Sequence, residues 1–262
     1  MNILGKHLLS ILALLLVFSP ALAECQTDAR PVIQPAAVQL LTLANQARAA
    51  IGARPLKWDD ALAVAARKHC QRMAVEGPIG HRYPGELDLS ERAGLAGAHF
   101  DLIEENVAIG PTPEGIHDEW MHSAGHRQNM LNPEVDRVGI AVVASRGVIY
   151  ATADYAHGVQ QLSQMQVEER VAGLIRPGGV TILPNPALAR EACSMDSGVP
   201  RTNGGVKPTF VIRWQDSDLS HLPKTLVDRL ASGHYRDAAI GSCDPSGVDG
   251  TFTAYRIAVL LY

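Results

Sequence analysis

Two apolar runs, Val138–Ala144 and Val148–Tyr155, flank Ser145-Arg146-Gly147, and this arrangement constrains the fold more than any other stretch. Short runs rich in Val, Ile and Tyr on either side of a brief Gly-containing break signal a β-hairpin. The segments ahead of it are helical in pattern. Val38, Leu40, Leu41, Ala44 and Ala47 recur at helical spacing up to Gly52, a natural carboxy-terminal stop. Asp59 suits the cap of a second helix, whose apolar stripe runs Leu62, Ala65, Ala66, Cys70 and Met73 until Gly77-Pro78 ends it. From Pro84 to Gly110 the chain is punctuated by Gly, with a short helical piece expected around 88–95. Thr112-Pro113 reads as a cap followed by Pro at the first helical position. That helix carries Ile116, Trp120 and Met121 inward and is expected to stop at Gly125. Helices packed on an antiparallel sheet, an α+β domain, is the resulting expectation.

Residues 1–23 read as a signal peptide. Lys6 and His7 precede an apolar run from Leu8 to Phe18, and Ala21-Leu22-Ala23 resembles a cleavage site. The run is shorter than the roughly 20 residues a membrane span requires, and Glu24 ahead of Cys25 argues against a lipid anchor. A secreted or periplasmic chain is expected, with no transmembrane segment after processing. Residues 24–35 form a leader closed by Pro31 and Pro35. The formal charge is −4, or −5 once Lys6 leaves with the signal. Mild acidity without a basic patch excludes a nucleic-acid partner; an extracellular ligand or protein is expected instead. The 239 residues that remain of 262 exceed one ordinary domain of about 100–150 residues. Four Cys in an exported chain point to disulfides rather than metal ligation, since no two have Cys-x-x-Cys spacing. Of the three connectivities, Cys25–Cys70 with Cys193–Cys243 keeps each bond within one domain.

The boundaries expected are 36–157 for the first domain, 158–166 for a Gln-rich linker, and 167–262 for a smaller α+β domain. The second half echoes the first. The segment from Gly178 through Ile182-Leu183-Pro184-Asn185 to Leu188 parallels Gly52 through Leu56-Lys57-Trp58-Asp59 to Leu62, and each leads into an Ala-rich helix containing a Cys. Ala239-Ile240-Gly241, with a strand over Phe252–Leu261, parallels Val138-Gly139-Ile140 and its partner. A degenerate repeat is the expectation, with chance recurrence of helix–hairpin patterns as the alternative. The second half has no counterpart of His81, Glu105 or His126.

Leu56-Lys57-Trp58-Asp59, Gly80-His81, Glu105-Asn106-Val107-Ala108, and the run from Trp120 through Ser123 and His126 to Leu131 occur in order, followed by Val138-Gly139-Ile140. Over residues 36–157 this set resembles the CAP superfamily (cysteine-rich secretory proteins, antigen 5, pathogenesis-related 1; SCP domains) in its bacterial form. The resemblance implies a CAP-type α-β-α sandwich with a cavity lined by two His and two Glu. Carried over, His81 and His126 match the two His and Glu105 the first Glu. Ser123 stands nearest to the second, as in bacterial members, while Glu119 precedes Trp120. His81, His126 and Glu105 are suited to Zn²⁺ or another divalent metal with an open fourth position. Three readings stay open. In the first, the chain is a non-enzymatic extracellular binding module; in the second, a metal-dependent hydrolase of protease type; in the third, the second domain is an interaction module on a structural CAP base. Each residue also has a structural role available: His81 capping its helix, Glu105 closing its loop, His126 held by Glu105 as a buried pair. Ser123 is better explained by backbone bonding at a helix end than as a nucleophile, since no Gly-x-Ser-x-Gly elbow is present.

Overall fold

A computed structural model describes residues 34–202, 205–243 and 252–262. The first lobe is built on a four-stranded sheet of β1 (Lys57–Trp58), β2 (Phe100–Gly110), β3 (Arg137–Ser145) and β4 (Val148–Gly158), in the order β1-β3-β4-β2. The short β1 runs parallel to β3 and the other pairs are antiparallel. The expected hairpin is β3–β4. Arg146 (φ 52°) and Gly147 (φ 80°) form a two-residue turn between paired Ser145 and Val148, the left-handed geometry that fits strand twist.

Period-two alternation along β3 divides the core between two faces. Val138, Ile140 and Val142 meet α1 (Pro35–Ala50), α4 (Pro113–His122) and α5 (Ala124–Leu131) on one side, with Leu40, Ile116, Trp120 and Met130 buried there. Ala141 faces α2 (Asp60–Glu76) on the other, beside Ala66, Cys70 and Met73. α3 (Leu89–Leu95) joins that side through Ala93, packed with Leu62, Ala65, Phe100 and Ala156. This is the α-β-α sandwich.

Helix caps form where the sequence places them. Asp59 accepts from the N–H groups of Ala61 and Leu62, and Thr112 from that of Gly115. Several details differ. The buried stripe of α1 is Ala37, Leu40, Ala44 and Arg48, leaving Val38 46% exposed. Arg48 is fully buried because its guanidinium finds four carbonyls, those of Arg54, Met130, Asn132 and Val135. A charged residue was absent from the expected apolar stripe because its partners come from distant chain. β2 also replaces the expected loop: Glu104 and Glu105 hid a strand that pairs with β4 over its length.

The second lobe repeats the plan. β5 (Thr181–Ile182), β6 (Phe210–Asp216), β7 (Asp237–Cys243) and β8 (Tyr255–Leu261) lie in the order β5-β7-β8-β6, again with the first pair parallel and the rest antiparallel. α6 (Gln164–Ile175) and α8 (Lys224–Ala231) cover the face of Ala238 and Ile240. α7 (Ala187–Ser194) covers the face of Ala239 and Leu260. α6 begins at Gln164, inside the expected linker, because Ser163 and Gln166 form a capping box. β8 starts at Tyr255 rather than Phe252.

Cys193 and Cys243 are bonded, tying α7 to β7. The expected Cys25–Cys70 bond is corrected: Cys70 is a free, buried thiol that donates to the Tyr150 carbonyl, and Cys25 lies outside the described residues. Burial pushes the Cys70 thiol up to about 12, so it sits in the core as a small apolar group.

Candidate functional site

Glu105 lies on β2 directly opposite Asp154 on β4, and Asp154 is opposite Gly139 on β3. The two carboxyls therefore stand side by side on the α2 face, with Glu105 5% and Asp154 0% exposed. Three side chains converge on Glu105. His81, in the loop after α2, places Nδ1 2.9 Å from Oε1. Arg92, on α3, donates to Oε2 at 2.5 Å. His69, on the buried stripe of α2, holds Nε2 3.9 Å from Oε2.

Local structure explains each placement. The Asp88–Glu91 capping box starts α3 one turn before Arg92, so that the guanidinium reaches inward. Arg92 also donates to the His81 carbonyl at 3.1 Å and so clasps the loop that carries the imidazole. His69 lies between two acceptors, Glu86 Oε1 and the Gly80 carbonyl, each at 2.8 Å. The loop from Gly80 to Glu86 is thereby anchored to α2, a fit that fixes where His81 begins.

The charges follow from these contacts. The hydrogen bond to Glu105 raises His81 above the ordinary imidazole range, although partial burial opposes it. Burial, reinforced by the Glu105 charge, lifts Asp154 well above the carboxylate range. Both Asp154 oxygens are buried without a hydrogen-bond partner. Burial opposes ionisation of Glu86, but the bonds from His69 and the Tyr83 N–H outweigh it and hold Glu86 below its usual range.

His126 approaches from α5. The helix breaks at Ser123, which has extended geometry (φ −85°, ψ 122°), and not at Gly125, which lies inside α5. Ser123 links the two helices through its backbone, accepting from Arg127 N–H and donating to the Glu119 carbonyl. α5 is fastened to β2 by two amides. Asn106 donates to the His126 carbonyl at 2.8 Å, and Asn129 donates to the Glu105 carbonyl and to Asn106 Oδ1, both at 3.1 Å. Asn129 thus ties α5 to β2. Trp120 donates to the Val107 carbonyl from the core, closing the same junction. Burial first, then the nearby His81 charge, lowers His126, against a smaller opposing pull from Glu119.

His126 is not held by Glu105. Its Nδ1 is buried without a partner, while Glu105 is engaged by His81 and Arg92. Metal ligation by His81, His126 and Glu105 is not the arrangement found: among the described residues no three His, Cys, Asp or Glu side chains are placed to hold a metal ion. Each Glu105 oxygen already has a partner, and one of those partners is the permanent Arg92 cation. The donor set does not fit the metal that the resemblance implied. Sequence reading missed His69, Glu86, Arg92 and Asp154. Asp154 looked like part of a strand, and Arg92 like a surface residue of a short helix.

Comparison with known proteins gives the same picture of the first lobe. Residues 41–155 match the profile of the cysteine-rich secretory protein family, CAP. The first lobe is a CAP domain. Two proteins of Bacillus subtilis are similar to this chain. The uncharacterized protein YkwD is 31% identical over 137 residues, 50% of this chain and 52% of that one. The uncharacterized membrane protein YlbC is 30% identical over 106 residues, 40% of this chain and 30% of that one. The chain thus spans about half or less of the curated relatives it matches. Among solved structures, an outer surface protein from Borrelia burgdorferi aligns with a TM-score of 0.44 at 18% identity, covering 47% of this chain and 92% of that one. An extracellular SCP-domain protein from Bacillus anthracis aligns with a TM-score of 0.42 at 26% identity, covering 46% and 40%.

Proposed function

We propose that the chain is an exported, non-enzymatic binding protein whose CAP cavity works without a metal. The observation that carries this reading is the engagement of Glu105 by His81 and Arg92 at 2.9 and 2.5 Å. A carboxylate so engaged orients its neighbours, and the Arg92 cation already compensates its charge. Its effect is to hold His81 by Nδ1 and turn the other ring edge outward, with the side chain 60% exposed. The raised His81 presents an N–H donor there, and His126, lowered first by burial, feels the His81 charge. That pair suits an acceptor-bearing ligand such as a carboxylate.

Export is supported by the Cys193–Cys243 bond, which persists in oxidising compartments. Among the described residues no helix is long and apolar enough to cross a membrane. In the second lobe, counting from the parallel bridge, Val211 opposite Leu260 takes the place of Glu105 opposite Asp154. We read this lobe as a degenerate copy of the first that has exchanged the polar site for core.

Acetate titration of histidine-labelled protein, followed by NMR of the imidazole Cε1–H signals, tests the reading. Shifts of the His81 and His126 signals that vanish in His81→Ala are expected. Turnover of a peptide or ester substrate that Zn²⁺ stimulates and Glu105→Gln abolishes would instead establish the hydrolase.

A further inference from the structure

We propose that the outer edge of β6 is an interface at which two copies of this chain pair strand to strand about a twofold axis. The inference is independent of the polar site in the first lobe. It starts from a difference between the two sheets. Each has a two-residue strand at one edge and a long strand at the other, β2 or β6. In the first lobe two helices, α4 and α5, follow β2 and cover its edge: Trp120 donates to the Val107 carbonyl and Asn129 to that of Glu105. In the second lobe a single helix, α8, stands between β6 and β7. Among the described residues no second helix takes the place of α5.

β6 is left with an outer row of backbone groups. The Thr209 N–H donates to the Leu261 carbonyl, so Leu261 faces β6. Alternation along the paired strands then turns Val211, Arg213 and Gln215 away from β8. Among the described residues, no backbone group outside the ladder bonds to these three. Phe210 to Trp214 are accordingly half-exposed and Gln215 and Asp216 exposed, whereas β7 and β8 are buried through their middles. Natural edges are commonly guarded by Pro, a bulge or a charge. β6 has no Pro, and its register with β8 runs unbroken from Phe210 to Asp216. Its only cation, Arg213, is drawn toward α7, where it donates to the carbonyls of Ala192 and Gly198.

The strand is complementary to itself. In a new antiparallel ladder, outward residues must face outward residues. With Ile212 on the twofold axis, Ile212 faces its own copy, Val211 meets Arg213, and Phe210 meets Trp214. Aromatic and β-branched pairs of this kind stabilise a sheet, whereas centring the axis on Arg213 would set like charges face to face. The flanks match as well. Lys207 precedes β6, while Asp216 ends it and Asp218 follows, so antiparallel pairing brings a basic flank to an acidic one.

Sedimentation of the exported chain, residues 24–262, over a range of concentrations tests the pairing. Wild type should shift from the monomer to twice that mass as concentration rises. Ile212→Lys and Ile212→Glu each set like charges on the axis and should stay monomeric. An equimolar mixture of the two should regain the dimer, since opposite charges then meet. Circular dichroism checks that both variants fold. If either does not, Ile212→Cys in a Cys25→Ser background replaces them. Residues opposite one another in a non-hydrogen-bonded pair bring their Cα atoms to about 4.5 Å, within reach of a disulfide, so oxidation should give a covalent dimer. Wild type that stays monomeric throughout overturns the proposal and leaves the edge to a strand of another protein. A dimer that Ile212→Lys leaves intact overturns it too, as does a mixture of folded variants that fails to associate, or an Ile212→Cys protein that oxidation does not cross-link.

Discussion

Gly139→Ala is expected to damage this protein more than its chemical modesty suggests. Gly139 lies on β3 under α2, where a Cβ would fall 2.0 Å from Ala63 N, 2.2 Å from Leu62 C and 2.6 Å from Leu62 Cβ. Ordinary contact begins at 3.4 Å, so α2 must retreat by roughly 1.4 Å to make room. The obstacles are helix backbone, which no rotamer change can remove. Overpacking in cores costs about 1–3 kcal/mol and sometimes more; with a whole helix to displace, about 3 kcal/mol or above is expected. At about 2–4 °C per kcal/mol for a chain of this size, Tm should fall by roughly 6–12 °C. The retreat also carries His69 away from Gly80 and Glu86, its partners at 2.8 Å. Urea and thermal denaturation would measure the loss, with Gly125→Ala as control. Gly125 is helical and its added Cβ meets nothing within 4 Å, so that variant should be neutral or gain up to about 1 kcal/mol. A Gly139→Ala protein within about 0.5 kcal/mol of wild type would refute the argument, because surface substitutions have effects of that size. Gly241→Ala should behave alike in the second lobe, where a Cβ would lie 2.2 Å from both Ala189 C and Arg190 N.

Asp154→Asn should stabilise the protein increasingly as pH rises. The folded carboxyl stays protonated far above its ordinary range, so above about pH 4 the unfolded chain releases a proton that the folded chain retains. Stability is then lost at up to about 1.4 kcal/mol per pH unit until folded Asp154 ionises. The variant should outlast wild type in urea at pH 7 and match it near pH 4; equal pH slopes would show that Asp154 is not buried neutral. Cys193→Ser should cost about 4 kcal/mol, from the chain entropy of a loop with a separation of 50 residues. Guanidinium denaturation of the variant against oxidised wild type would measure it, and a loss below about 1 kcal/mol would mean the unfolded chain gains nothing from the bond.

The hairpin, the capped helices and the family motifs were legible in the sequence because each is local. Asp59 and Thr112 cap the backbone beside them, and Arg146-Gly147 turn within the hairpin they join. Periodicity misjudged what depends on distant partners. Arg48 is buried through carbonyls 82–87 residues away, and β2 is a strand because β4 supplies its ladder. The motif around Glu105-Asn106 and that around His126–Asn129 were visible separately. Only folding shows why they occur together, since Asn106 and Asn129 hydrogen-bond across them.

The sequence by itself therefore determined the family of the first lobe and the candidate imidazoles and Glu105, and it offered Cys193–Cys243 within one of three connectivities. Tertiary structure decided what those groups are. Burial lifts the Asp154 carboxyl well above its usual range, and α3 delivers Arg92 to the carboxylate that was expected to hold a metal. Protonation and charge compensation depend on distances across strands and helices, which the order of residues along a chain does not contain.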